Sequence, residues 1–317
     1  MSGPSQPKDL LLPFLLVLAV LFVVWLIPAV GTLAGIFSPA LLIFVFLQRG
    51  KIVGLVLIAL VFLVILILMG AAQSLLFFAE YGVMAVIMGE SIRHQLSLDK
   101  CIFFSSLGSA VLSILLLFVL FTDRETSLTD YFQQQIQKHF QQSLETLESV
   151  GENQAELDTL RQFVDKSSRT FAAAYPAFIL VGSLITAAVN FFLVRGVWTR
   201  LYGQTLFVPG TFTQWVLADY WVWLLIPSAA SLFLGGGFLG TLGMNIFIVM
   251  VVIYFFQGLA ITLHIVETRK IPIFFRVLIL FLILIQPVLM GIVVGLGVFD
   301  IWIDFRKVRT QNIGGSD

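Results

Sequence analysis

The fold class follows from residues 51–93, whose sequence is KIVGLVLIALVFLVILILMGAAQSLLFFAEYGVMAVIMGESIR. Between positions 52 and 89 the only charged side chain is Glu80. A helix needs about 20 apolar residues to cross the hydrocarbon core of a bilayer. Residues 52–92 are long enough for two such helices, with a turn near Gly70. The stretch therefore predicts a hairpin of two transmembrane helices.

Composition extends this interpretation to the whole chain. Of its 317 residues, 59% are hydrophobic and 11% are charged, whereas a soluble domain has roughly 25% charged residues. The formal net charge is zero, and the basic residues are scattered through short loops. This excludes nucleic acid as a partner, because nucleic-acid binding needs a basic patch. We expect an all-α integral membrane protein, a polytopic helical bundle whose main partner is the lipid bilayer.

Apolar runs raise the predicted number of spans to about nine, with roughly eight to ten as the range. The first run begins near residue 10 and has no convincing small-residue cleavage site, so we interpret it as a retained span and not as a signal peptide. The predicted spans are two in residues 10–48, two in 52–92, and one each in 101–121, 171–194, 214–235, 239–266 and 273–299, the last interrupted by Pro287.

The spans divide the chain into three predicted regions. Residues 1–121 form an N-terminal membrane bundle of about five spans. Residues 122–170 form a polar insertion. Residues 171–317 form a C-terminal bundle of about four spans with a charged tail.

The insertion carries apolar side chains at steps of three and four, which is typical of amphipathic helices. A break at Gly151 indicates two helices. Their apolar stripe can fold onto neighbouring spans, or it can dock a protein partner or lie on the membrane surface. The stripe consists of Phe132, Ile136, Phe140, Leu144 and Leu147, then Leu157, Leu160 and Val164.

Basic residues set the predicted orientation. With a cytoplasmic N-terminus, the Lys and Arg residues of the short loops fall on one side, as the positive-inside rule requires. The insertion is then exported, and we expect the protein in the bacterial cytoplasmic (inner) membrane. The tail residues Arg306, Lys307 and Arg309 would end outside after nine spans, so the parity of the span count stays open. The loop residues are Arg49, Lys51, Arg93, Lys100, Arg195, Arg200, Arg269, Lys270 and Arg276.

Polar side chains inside the predicted spans mark a candidate binding site. A carboxylate at membrane depth, such as that of Glu80, needs a partner, a water-filled cavity or a function. Gln73 lies seven residues earlier, and at 100° per residue the two side chains point within about 20° of each other. Gln257 and Tyr254 lie together on another span, and Asn190 lies on a third. We predict that these five side chains bind a solute; the alternative for the amides is a hydrogen bond between packed helices.

Motifs for catalysis or cofactor binding do not occur in the sequence. It contains no P-loop and no H-E-x-x-H. Gly235, Gly237 and Gly240 match the dinucleotide-binding pattern, but apolar helices flank them where a βαβ unit is required. His264 has no second histidine nearby to complete a metal site. We therefore expect no enzymatic activity, no cofactor and no metal.

The C-terminal tail, GLGVFDIWIDFRKVR at residues 295–309, combines charged and aromatic side chains at the end of the last span. Trp302 suits the membrane boundary, and basic residues can meet lipid headgroups or a cytoplasmic partner. We predict either a terminator at the membrane edge or a docking motif. The residues concerned are Asp300, Trp302, Asp304 and Arg306.

This tail also resembles the YybS-like family of bacterial multi-spanning membrane proteins. The N-terminal apolar hairpin, the charged break after LQRGK and the polar insertion match the same layout. That family is similar at a distance to the substrate-binding S components of energy-coupling-factor transporters. The resemblance implies a bundle that binds a small-molecule solute. The larger number of spans and the long insertion depart from the S-component pattern, so the protein partner is left open as a membrane protein or an energising protein.

The sequence leads to two alternative hypotheses about function. The first is binding or transport of a small molecule, because interrupted helices often line substrate sites. The alternative is a non-enzymatic scaffold or assembly factor of the bacterial cell envelope, with the exported helices as its contact surface.

Overall fold

The structure is a computed structural model that describes residue 19 and residues 35–122, 126–150, 154–203, 211–234 and 237–307. All regular structure in these ranges is helical, which confirms the all-α class. In chain order the helices are α1 (Ser38–Arg49), α2 (Lys51–Met69), α3 (Ala71–Arg93), α4 (Leu98–Phe121), α5 (Leu128–Val150), α6 (Gln154–Ala173), α7 (Tyr175–Tyr202), α8 (Val222–Ser231), α9 (Phe238–Thr268), α10 (Ile273–Ile285) and α11 (Pro287–Ile303).

Five described helices are long and apolar enough to cross a membrane, namely α2, α3, α4, α7 and α9. A sixth span results if α10 and α11, which meet at an angle of 102°, are counted together. Their bend follows Gln286, so the interruption predicted at Pro287 is confirmed. The first predicted span lies mostly outside the described residues, and the total of about nine spans stays a prediction.

The described helices belong to two compact units. The first consists of residues 1–96 and 100–208, and the second of residues 97–99 and 209–317. Helix α7, which the sequence analysis groups with the C-terminal bundle, packs against α1 and α3 in the first unit.

The predicted hairpin of residues 52–92 is present in the first unit as α2 and α3. Gly70 joins them with a φ of 91°, a left-handed conformation that glycine adopts without the steric penalty of a side chain. At the open end, the Lys51 ammonium lies 3.1 Å from the Glu90 carboxylate. The ion pair therefore places the first turn of α2 beside the last turn of α3.

Basic helix ends of the first unit lie together. Arg49 ends α1 immediately before Lys51 begins α2, and Glu90 of α3 pairs with Lys51. The side-chain amide of Gln48 donates a hydrogen bond of 2.7 Å to the Tyr202 hydroxyl, which brings the end of α7 to the end of α1. Arg49, Lys51 and Arg93 therefore lie at one end of the α1–α3 helices, and the side of the membrane that this end faces stays a prediction.

The polar insertion contains the two predicted helices, α5 and α6, which pack against each other. Leu144 and Leu157 are buried between them. At the base of the pair, Phe132 stacks on Tyr175 of α7 with ring centroids 5.2 Å apart. Export of the pair stays a prediction.

Helix α9 is the centre of the second unit and contacts both α8 and α11. A Cβ atom on Gly258 would overlap the Val293 carbonyl, and one on Gly297 would overlap the Tyr254 carbonyl. The numbering runs in opposite directions on the two helices, so α9 and α11 are antiparallel. Their backbones touch because both contact positions are glycine.

The chain before α8 contains no α-helix in residues 211–221, where two short 3₁₀ turns flank an extended stretch. Helix α8 itself has ten residues, about 15 Å, which is half the thickness of the hydrocarbon core. The span predicted at 214–235 is therefore only partly α-helical. The broken segment packs against α9, where its side chains surround Tyr254 and Met250.

Candidate functional site

Glu80 lies on an irregular turn in the middle of α3. Residues Phe78–Gly82 form a π-helical segment between two α-helical parts. A π-helical turn inside an α-helix is rare and is frequent at functional sites. The Glu80 carboxylate on this turn lies within hydrogen-bond distance of side chains on α4 and α7.

The Glu80 carboxylate accepts one hydrogen bond on each oxygen. The Ser113 hydroxyl of α4 donates to Oε2 over 3.1 Å, and the Ser183 hydroxyl of α7 donates to Oε1 over 2.8 Å. Both partners are neutral, and no basic side chain pairs with Glu80 among the described residues. The result is a polar site formed by α3, α4 and α7.

The hydroxyl groups of two earlier serines of α4, Ser105 and Ser109, do not extend this site. Ser105 donates to the Cys101 carbonyl over 2.6 Å, and Ser109 donates to the Ser106 carbonyl over 3.1 Å. Both serines are buried, and their hydroxyl groups donate hydrogen bonds to backbone carbonyls of the same helix, as serine hydroxyls in helices commonly do.

Gln73 and Asn190, which were predicted to join Glu80, have other surroundings. Gln73 is exposed in the first turn of α3. The Asn190 side chain accepts from the Ala40 amide over 2.7 Å and donates to the Ile36 carbonyl over 2.7 Å. Asn190 thus links α7 to the first turn of α1. This contact is a hydrogen bond between packed helices, the alternative to solute binding given above for the amide side chains.

Gln257 and Tyr254 belong to the second unit, whereas Glu80 belongs to the first. The side-chain oxygen of Gln257 accepts a hydrogen bond from the Leu217 backbone amide over 3.0 Å. The side-chain NH₂ group of Gln257 donates to Asp300 Oδ2 over 2.7 Å. The Tyr254 ring is buried one turn earlier, and its hydroxyl has no hydrogen-bond partner among the described residues. Binding of a solute by these side chains stays a prediction.

Asp300 and Arg306 form a buried ion pair. Arg306 Nη2 lies 3.0 Å from Asp300 Oδ2, and both side chains are 0% exposed. The Phe305 amide donates to Asp300 Oδ1 over 3.0 Å. Burial of a charge is tolerated when it is both paired and hydrogen-bonded, and this pair satisfies both conditions.

The Arg306 guanidinium also binds the broken segment before α8. Its Nη1 donates to the carbonyls of Thr213 and Trp215, each over 2.9 Å. With Gln257 and Asp300, these contacts make a network that joins segment 211–221, α9 and the end of α11. Gln257, Asp300 and Arg306 are each conspicuous in the sequence, but no sequence signal indicates that they contact one another.

The network contacts the interior of α9, away from both of its ends. Gln257 is eleven residues before Thr268, where α9 ends, which corresponds to about 16 Å at 1.5 Å per residue. Charged Glu267, Arg269 and Lys270 mark that end of the helix.

Trp302 and Asp304 were also predicted at the end of the last span. Trp302 is 64% exposed, and Asp304 is half-buried with a φ of 44° where α11 has ended. Anchoring or docking by these two residues stays a prediction.

A family model described as predicted membrane protein, DUF2232, matches residues 14–301. The chain belongs to this family. No curated protein and no solved structure matches the chain. As a DUF2232 member with several apolar spans, it is a membrane protein. The DUF2232 match covers Glu80, Gln257 and Asp300 and ends before Arg306.

Proposed function

We propose that this protein binds a small polar solute within the membrane and transports it, with Glu80 as the binding group. One observation carries the proposal: among the described residues, a carboxylate on a π-helical break in α3 receives hydrogen bonds from two neutral hydroxyls, on α4 and α7. Two hydroxyl donors leave lone pairs of the carboxylate unused, since it can accept about four hydrogen bonds. A solute that presents a hydrogen-bond donor or a positive charge matches this site.

The resemblance of the tail and layout to the YybS-like family, which is similar at a distance to S components, stays an expectation from the sequence and favours the same class of function. In this proposal the protein is located in the bacterial inner membrane and has no enzymatic activity. It draws energy from a gradient or from an energising protein partner, because the sequence holds no motif for nucleotide hydrolysis.

Glu80→Gln is expected to abolish binding while the fold is kept. The substitution preserves size but removes the charge, and a hydrogen bond to a charged group contributes roughly 1.5–3 kcal/mol, so affinity falls about tenfold or more. The measurement is purification from native membranes in mild detergent, followed by mass spectrometry of the small molecules that stay bound. Thiol-dye labelling of buried Cys101, the single cysteine, reports whether the first unit is folded.

Glu145→Gln is the matched control, because Glu145 is an exposed residue of α5. We expect it to retain every compound that the unmodified protein retains. A compound that Glu80→Gln retains at the same level would contradict the proposal.

A second candidate, an envelope scaffold, is favoured by the exposed apolar side chains of α6. Leu160 is 40% exposed and Phe163 is 60% exposed, although Leu157 on the same helix is buried. Aromatic and aliphatic side chains of this kind anchor protein interfaces.

Leu160→Ser combined with Phe163→Ser is expected to remove a co-purifying envelope protein if the scaffold function is correct. The reason is that truncation of interface anchors costs about 2 kcal/mol or more each. Quantitative mass spectrometry of proteins that co-purify at constant stoichiometry is the measurement. Gln162→Ser, an exposed polar residue between the two, is the control. Unchanged co-purification in the double variant would remove this candidate.

A further inference from the structure

Segment 211–221 places non-helical backbone beside Gln257 in the interior of α9. Such backbone is tolerated at membrane depth only where protein groups satisfy its amides and carbonyls. Three backbone groups of the segment are hydrogen-bonded by distant side chains. The Leu217 amide donates to Gln257, and the carbonyls of Thr213 and Trp215 accept from Arg306. The segment therefore depends on partners far away in the sequence.

We propose that Arg306 is a tethered ligand whose guanidinium fills a cation site inside the second unit, and that this site accepts a planar guanidinium group. The site consists of the Asp300 carboxylate and the carbonyl oxygens of Thr213 and Trp215. Its three oxygens accept from two different nitrogens of Arg306 at 2.9–3.0 Å.

The arrangement of acceptors selects a planar cation. Guanidinium is a rigid fork of N–H donors, whereas an ammonium is a compact point charge. Nη1 contacts both carbonyls while Nη2 contacts Asp300. One ammonium nitrogen would have to serve all three oxygens from a single point.

The carboxylate of the site is positioned independently of Arg306. The side-chain amide of Gln257 donates a hydrogen bond to Asp300 Oδ2 over 2.7 Å, and the Phe305 backbone amide donates one to Oδ1 over 3.0 Å. Gln257 is itself fixed by the Leu217 amide. Removal of the Arg306 side chain would therefore leave an anionic cavity in which the Asp300 carboxylate is still oriented, whereas the Thr213 and Trp215 carbonyls lose their donor. A guanidinium that binds Asp300 can then order these two carbonyls again.

The ligand belongs to the segment that follows α11. Helix α11 ends at Ile303, and Asp304 has a φ of 44°, which turns the chain so that Arg306 returns to Asp300. The guanidinium thus fastens the residues after the last helix to the broken segment before α8.

Chemical rescue of Arg306→Ala tests the proposal. Hydrogen exchange of peptides covering residues 211–221 is measured by mass spectrometry on the full chain in detergent. We expect exchange to accelerate about tenfold or more in the variant, because the segment opens locally without its donor. Methylguanidinium at millimolar concentration should restore slow exchange, and methylammonium should not. The unmodified protein should respond to neither compound, because its site is filled.

Two variants serve as controls. Arg161→Ala removes an exposed arginine that pairs with Asp158 over 2.8 Å on α6, and it should leave the exchange of residues 211–221 unchanged. Asp300→Asn combined with Arg306→Ala should lose the rescue, because the anionic acceptor is gone.

Normal exchange in Arg306→Ala would overturn the proposal. Fast exchange that methylguanidinium does not slow in a folded variant, or rescue that persists without the Asp300 carboxylate, would overturn it as well. If Arg306→Ala does not fold, Arg306→Lys decides the matter. Faster exchange with lysine supports the requirement for a planar group, and unaltered exchange contradicts it.

Discussion

Gly297→Leu is expected to separate α11 from α9 and to unfold the second unit. A Cβ atom at this position would overlap the Tyr254 carbonyl oxygen and lie 2.9 Å from the Gly258 amide nitrogen. Both neighbours are backbone atoms of a helix, so no side-chain rotation can relieve the overlap. We expect a loss of about 4 kcal/mol or more, at the upper end of the effects of single substitutions.

Gly295→Leu is the matched control on the same helix. No atom lies within 4 Å of a Cβ atom built at this glycine, and leucine has a higher helix propensity than glycine by roughly 0.5–1 kcal/mol. Thermal unfolding in detergent should show a large loss for Gly297→Leu and none for Gly295→Leu. Equal stability of the two variants would show that the contact of α9 with α11 does not hold the unit together.

This pair of glycines illustrates what the sequence could predict. Apolar runs indicate where helices lie, because length and hydropathy are local properties of the chain. Gly295 and Gly297 look alike in the sequence, and only the position of α9 distinguishes them. Helix neighbours are determined by packing between distant segments, which hydropathy does not encode.

Glu80 was predictable, because a charge inside an apolar run is conspicuous. Its partners were not, since Ser113 and Ser183 are 33 and 103 residues away and serines are ordinary in apolar helices. The predicted common face of Gln73 and Glu80 assumes 100° per residue. A π-helical turn at Phe78–Gly82 changes that angular step, and Gln73 is exposed.

The tail shows a second limit. The sequence predicts a membrane-edge terminator or a docking motif at Asp300, Trp302, Asp304 and Arg306. Helix α11 ends at Ile303, and Asp304 takes a left-handed conformation that aspartate tolerates better than most residues. A single residue of this kind reverses the chain and buries Arg306, and nothing in the local sequence indicates it.

Asp300→Ala is expected to destabilise the second unit by about 3–5 kcal/mol, the usual effect of removing one partner of a buried ion pair. The loss should exceed that of Arg306→Ala. Asp300 retains its donors Gln257 and Phe305 when the guanidinium is absent, whereas Arg306 has no other carboxylate among its described contacts. Thermal unfolding measures the difference. Asp158→Ala, which breaks an exposed pair on α6, should cost about 1 kcal/mol or less.

A double replacement, Asp300→Leu with Arg306→Leu, separates two roles of the network. An ion pair that only neutralises its own charges can be exchanged for apolar side chains with little loss or even a gain. Here the carbonyls of Thr213 and Trp215 would also lose their donor, and each buried unsatisfied group costs about 1–3 kcal/mol. We therefore expect the double variant to remain unstable and residues 211–221 to exchange rapidly. Full recovery would show that the pair balances charge alone and that the broken segment holds its shape without Arg306.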